Sequence, residues 1–151
     1  MKHHLLTTIA AVLLAGVVSV IAETKPKVLL MHTPDGIEFG IWGSTKHEHP
    51  APTLIVLATT IQNTLNSAYY RHCANQLAKR GFLCGSIKLP CHGDQQVDGE
   101  PEGLLGWSHR AARDSDFVAE FNNRWSKVLD HLVKQGLSDP ESIAACGTSR
   151  G

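Results

Sequence analysis

The sequence predicts a doubly wound α/β fold, in which a mostly parallel sheet is covered by helices on both faces and begins with an antiparallel hairpin. Three observations carry that expectation. Two strand-like runs flank Pro34-Asp35-Gly36, a continuous apolar run near 54–58 and a strand-like run at 82–89 enclose a stretch of helical spacing, and a last apolar run leads into Gly147-Thr148-Ser149-Arg150-Gly151. The 151 residues, 42% hydrophobic and 19% charged, fit one domain or part of one and exclude disordered, collagenous and coiled-coil chains. Fourteen Lys plus Arg balance fourteen Asp plus Glu. With no basic excess to neutralise a phosphate backbone, nucleic acid is not an expected partner.

The first element is a leader. Met1-Lys2-His3-His4 is followed by an apolar run from Leu5 to Ala22 and then by polar Glu23-Thr24-Lys25-Pro26. A short basic start, an apolar middle and small residues at Val20 and Ala22 are the layout of a signal peptide over 1–22, cleaved after Ala22 to leave a mature chain of 23–151. The expected location is therefore outside the cytoplasm, periplasmic or extracellular. A membrane contact is expected only if the leader stays uncleaved as an anchor, for which its length nearly suffices. N-terminal sequencing of the exported protein should read from Glu23, and material beginning at Met1 would contradict cleavage.

Val28–His32 and Ile37–Trp42 then read as a hairpin, because Asp35-Gly36 supplies the positive φ of a tight turn and Ile37, Phe39 and Ile41 alternate at the strand period. A polar linker, 44–52, precedes Thr53–Ala58, whose unbroken apolar character is that of a strand covered on both faces. Tyr70, Cys73, Ala74, Leu77 and Ala78 place a helix between Asn66 and Arg80, with Asn66 or Ser67 as cap and Gly81 just past its end. Phe82–Leu89 resumes a strand and stops at Pro90, completing a right-handed crossover. Residues 98–106 read as a surface loop and Leu104–Arg113 as a short helix. Phe117–Gln135 is a long amphipathic helix with Phe121, Trp125, Val128 and Leu132 on its apolar stripe, Asp114 and Asp116 at its positive end and Gly136 as its stop. Ser142–Cys146 is the last strand.

Cys73, Cys84, Cys91 and Cys146 have neither the density of a disulfide scaffold nor the spacing of a metal site, and read as small buried hydrophobes. His47-x-His49 alternates as two metal ligands would, yet no nearby Cys or carboxylate pattern completes a site, so the pair reads as a solvated linker. No metal and no cofactor is expected. His131 sits on the long helix, where it either packs or faces solvent.

The chemistry gathers at the C-terminal end. Gly147-Thr148-Ser149-Arg150-Gly151 matches Gly-x-Ser-x-Gly, in which a serine occupies a sharp strand-to-helix turn and the glycines remove side chains that would clash there. Here the motif directly follows a buried-type strand, which is the context it requires. From about Lys27 to Gly151 the sequence resembles the α/β-hydrolase superfamily, and within it the serine hydrolases of the dienelactone-hydrolase and prolyl-oligopeptidase-like type. The likeness rests on the hairpin, the 54–58 strand with its Thr59-Thr60 loop, the stretch from Gly81 to Pro90-Cys91-His92-Gly93, the approach Leu137–Ile143 and the serine turn.

The resemblance implies that Ser149 is the nucleophile and that the backbone N–H of Arg150 is one oxyanion donor. It places the second donor in the loop after the third strand, at Thr60 or, as the alternative, Thr59, although the family's usual His-Gly dipeptide is absent there. It also places the acid and the histidine after the nucleophile, whereas this sequence ends two residues past Ser149. His92 is accordingly expected to serve turn structure, and the Arg150 guanidinium to pair with an acid rather than hold a substrate carboxylate. The expected function is an exported serine hydrolase or esterase cleaving an ester, lactone, thioester or peptide bond through an acyl-enzyme, its partner a small-molecule or peptide substrate. The chain as given would be an inactive N-terminal part with the C-terminal half of the domain absent. A noncatalytic binding protein on the same fold and an acyltransferase are the alternatives.

Because the family's strand order sets the third strand between the fourth and fifth, Cys84 and Cys146 are expected about 9–10 Å apart, too far to bridge. A Cys73–Cys91 bond is the other pairing the resemblance allows.

Overall fold

The computed structural model describes residues 27–43, 45–46, 48–113 and 116–149. Residues 1–26, which include the expected signal peptide, and Ser44, His47, Asp114, Ser115, Arg150 and Gly151 lie outside the described residues.

β1 (Leu29–His32) and β2 (Glu38–Trp42) form the expected hairpin, with Leu29 opposite Ile41 and His32 opposite Glu38. Its turn is held by one threonine: the Thr33 hydroxyl donates to Asp35 Oδ1 at 2.6 Å and accepts from Ile37 N–H at 3.0 Å. Gly36 supplies the positive φ of 85°. Lys127 Nζ reaches Asp35 Oδ2 at 2.9 Å. The Thr33 bond first, then Lys127, hold the Asp35 carboxyl down at about 2 from an ordinary 3.8. Since the unfolded chain takes up this proton more readily, the group supports folding above the ordinary carboxylate range and ceases to do so as pH falls toward 2. A carboxyl NMR titration should show Asp35 with its midpoint near 2, and Thr33→Val should move it upward; an unshifted midpoint in the parent would contradict this turn geometry.

The sheet order is β1-β2-β4-β3-β5. β3 (Ala51–Leu57) is central between two parallel partners, β4 (Leu83–Ser86) and β5 (Ser138–Gly147), and β2 joins β4 antiparallel. β4 is shorter than the expected 82–89, although Ile87 and Leu89 beyond it are fully buried. β5 is longer than expected. It starts at Ser138, whose hydroxyl meets that of Thr53 at 2.7 Å in a buried pair, and a register shift between Ala51 and Thr53 absorbs the extra residues around Pro140. β5 pairs with β3 alone among the described residues, and Pro140–Ala145 are exposed, as expected of an uncovered apolar edge.

Helices cover both faces. On one, α4 (Phe117–Lys134) lays Phe121, Trp125, Val128 and Leu132 over Phe39, Ile41, Ile55 and Leu83. Leu137 N–H to Leu132 O at 3.0 Å and Gly136 N–H to Val133 O at 2.9 Å close its C-terminus around Gly136 at φ 69°. On the other face Ile61, Leu65 and Ala74 pack on Trp42, Leu54, Val56 and Cys84. Gly40 lets that layer approach, because a side-chain carbon there would run into Ile61 and Leu65.

One helix in the 66–80 region becomes two. α1 (Ile61–Asn66) starts at once after β3, capped by Thr60, whose hydroxyl accepts from Asn63 N–H at 3.3 Å. Ser67 then leaves helical geometry at ψ 123°, and α2 spans only His72–Ala78. The break is braced by Arg71, which donates to Leu65 O at 2.7 Å and to Asn75 Oδ1 at 3.1 Å while its guanidinium lies 5.0 Å from the Trp42 ring. Tyr70 therefore falls outside the helix, and Cys73 is exposed instead of buried. The remaining short helix, α3 (Gly103–Ala111), lies close to the expected 104–113. No helix among the described residues is long and apolar enough to cross a membrane.

Candidate active site

The chemistry-bearing residues meet at the C-terminal edge of β3, β4 and β5. β5 ends at Gly147, directly opposite Leu57, the last residue of β3. One step on, Thr148 N–H donates to Leu57 O at 3.0 Å, so the chain is still anchored to β3 when it turns. Ser149 follows, exposed, at φ 63°. For a side chain with a Cβ this left-handed conformation costs about 1–2 kcal/mol. The strand register and the Thr148 bond hold it, which is how strain is retained at a functional turn. Arg150, the expected donor that follows, lies outside the described residues.

Across the strand gap, β3 runs into Ala58-Thr59-Thr60. The two threonines differ in what their amides do. Thr59 N–H donates to Thr64 Oγ1 at 3.0 Å and its carbonyl accepts from Leu89 N–H at 3.0 Å, so its backbone is committed. Thr60 N–H makes no hydrogen bond among the described residues, and it stands just ahead of the first turn of α1, where amides lack intrahelical partners. The Thr59 hydroxyl is buried with no partner among the described residues.

The loop after β4 completes the cluster. Leu89 N–H to Thr59 O ties it to the threonine loop, and Gly93, at φ 56°, packs so closely that a side-chain carbon there would sit 3.2 Å from Thr60 Cγ2. His92 is buried, with Nδ1 2.8 Å from Pro90 O. A carbonyl only accepts, so Nδ1 carries the proton in this contact and the imidazole braces its own turn. Trp107 Nε1 donates to the same carbonyl at 3.0 Å. His131 belongs elsewhere, edge-on to Phe39 with ring centroids 5.9 Å apart on the α4 face. His47 is outside the described residues, so the His47-x-His49 pair cannot be assembled from them.

Sequence reasoning missed a cleft of about 460 Å³ between the loop after β4, α3 and α4, lined by Pro90, Gln95, Phe117 and the arginines Arg110, Arg113 and Arg124. Its cations are largely engaged: Arg110 donates to Glu100 Oε2 at 2.7 Å and 2.9 Å, and Arg124 to Gln95 Oε1 at 2.6 Å. Burial lowers the Arg124 pKa. The residues come from segments far apart in the chain, and no local motif announces such a cleft.

No protein-family model and no curated protein matches the sequence. Solved structures do match. A dienelactone hydrolase-like promiscuous phosphotriesterase from metagenomic libraries superposes with a TM-score of 0.55 at 20% identity, covering 85% of this chain and 51% of its own. A dienelactone hydrolase-like protein of Klebsiella pneumoniae gives 0.54 at 15% identity, covering 85% and 52%. A prolyl endopeptidase gives 0.52 at 19% identity, covering 83% of this chain and 18% of its own. The chain thus spans about half the length of the two dienelactone hydrolase-like structures. At these identities the likeness is one of fold, and the fold of this chain is that of the dienelactone-hydrolase-like and prolyl-oligopeptidase-like α/β-hydrolases.

Proposed function

We propose that this chain is the N-terminal part of an exported serine hydrolase that cleaves an ester, lactone, thioester or peptide bond through an acyl-enzyme on Ser149. The observation that carries the reading is Ser149 itself, an exposed serine in left-handed backbone at the carboxyl end of a parallel strand, inside Gly-x-Ser-x-Gly. Export rests on the leader sequence of residues 1–22.

In this reading Ser149 Oγ attacks the carbonyl carbon while an imidazole from the part of the domain after Gly151 takes its proton. The charge that develops on the carbonyl oxygen is met by the amides of Arg150 and Thr60. Thr60 is favoured over Thr59 because a donor already bonded to Thr64 would have to break that bond to serve the oxyanion. The leaving group then departs with the proton, and water releases the acyl chain from Ser149 by the same route.

Two-step chemistry has a kinetic signature. The full-length protein mixed with p-nitrophenyl acetate should release p-nitrophenolate in a burst whose amplitude equals the enzyme concentration, followed by slower turnover. A burst that persists in Ser149→Ala would contradict the assignment.

A further inference from the structure

The chemistry above leaves the cleft between the loop after β4, α3 and α4 unused. At about 460 Å³ it is the size of a site for a small organic molecule. Its lining combines two chemistries. Phe117 and Phe121 of α4 line it together with Pro90, and the Phe117 ring stands edge-on to Trp107 of α3 with centroids 5.2 Å apart, which fixes an aromatic wall. The rest is charged: three arginines, Arg110, Arg113 and Arg124, against two glutamates, Glu100 and Glu120.

These charges do not cancel. Arg110 and Glu100 form a closed pair at 2.7 Å, and the Arg110 bond, before any other cause, holds the Glu100 carboxyl below its ordinary range. Arg110 Nη2 also donates to Gln95 O at 3.0 Å, fixing the backbone of the residue whose side-chain oxygen accepts from Arg124 Nη1 at 2.6 Å. Gln95 is neutral, so it holds the Arg124 guanidinium in place without neutralising it. Among the described residues no carboxylate lies within ion-pair distance of Arg124. Asp94, the acid that acts on it from further away, is itself bonded to Lys88 Nζ at 2.6 Å. Arg124 is half-buried, and a cation taken out of water is ordinarily paired. Its pKa is lowered by burial, which Asp94 only partly offsets, as expected of a charge short of a partner. Arg113 and Glu120 are both exposed, so water screens their contribution.

We propose that this cleft binds a small aromatic monoanion, its carboxylate received by Arg124 with Arg113 and its ring laid against Phe117 and Phe121. Arg124 spends one N–H of its five-donor fork on Gln95 and keeps the planar geometry that meets two carboxylate oxygens side by side. The single surplus positive charge of the lining matches a single negative one. Ser149, Thr59 and Thr60 do not line the cleft, so the site goes beyond the hydrolase reading and does not depend on it.

The test is isothermal titration calorimetry of the full-length protein with sodium benzoate, with benzamide as the neutral molecule of nearly the same shape. Benzoate should saturate a site that benzamide does not fill, and Ser149→Ala should bind it as the parent does. Arg124→Gln should weaken benzoate by about tenfold or more, the worth of a charge-assisted hydrogen bond. Arg113→Gln, at an exposed position where folding is not at risk, should weaken it about threefold. The second variant decides alone if the first does not fold. The proposal is overturned if benzoate and benzamide bind alike or neither binds. It is equally overturned if a folded arginine variant holds benzoate as tightly as the parent, or if Ser149→Ala abolishes the binding.

Discussion

Ser149→Ala in the full-length protein should lower ester turnover by a factor on the order of 10⁴ to 10⁶, since the remaining site binds substrate but has no nucleophile to activate. The serine is exposed, so its hydroxyl supports no packing and the variant should fold. A second substitution separates chemistry from strain. Ser149 holds φ 63°, which glycine adopts without steric cost, so Ser149→Gly should be equally inactive yet more stable, by up to about 1 kcal/mol after the larger entropy of an unfolded glycine is counted. A gain in denaturation midpoint alongside lost turnover is the expected pair of readings. A stability loss in Ser149→Gly would show that the turn is not strained.

Trp125→Ala should be the most damaging core substitution. The indole is nearly fully buried on α4, in the cluster that joins that helix to Phe39, Ile41 and Leu83. It covers Gly85 of β4, where a side-chain carbon would lie 3.9 Å from Trp125 Cη2, and glycine offers no side chain to fill the gap. Truncation of a large buried aromatic costs about 3–5 kcal/mol, which in a domain of this size lowers the melting midpoint by roughly 10 °C. The indole N–H has no hydrogen-bond partner among the described residues, so Trp125→Phe sacrifices no bond there and should cost less, on the order of 1–2 kcal/mol for the ring volume it gives up. Calorimetry on the two variants checks both numbers. Equal losses would mean that the N–H is satisfied and that ring shape matters little.

The elements that local chemistry dictates were legible before the structure. Leu54–Ala58 is apolar without interruption and Phe82–Leu89 is broken only by Ser86 and Lys88 because both sheet faces are covered, and the structure places β3 and β4 there, with α4 and α1–α2 as the two covers. The Asp35-Gly36 turn and the Gly136 stop are set by single positive-φ positions and were equally readable. The split of the 66–80 helix was not. α1 is too short for its Ile61–Leu65 spacing to register as a period, and the break at Ser67 depends on Arg71 reaching back to Leu65 O and onto Trp42. The start of β5 was hidden by Asp139-Pro140, a turn signal that the register shift against β3 overrides.

At the site the same division holds. The left-handed serine follows from the glycines beside it, and the threonine loop from its place after β3. The difference between Thr59 and Thr60 lies in which amide the Thr64 hydroxyl accepts, a local side-chain choice that no spacing rule encodes. The exposed Cys73 departs from the usual burial of cysteine, because the helix that would have buried it breaks at Ser67.

The central claim is that Ser149 is an activated nucleophile, and the most direct measurement is covalent labelling of the full-length protein with a fluorophosphonate, followed by peptide mass mapping. The account predicts one adduct, on Ser149, absent when the protein is unfolded before exposure. An intact protein that takes no label, or carries it on another residue with Ser149 unmodified, would contradict it.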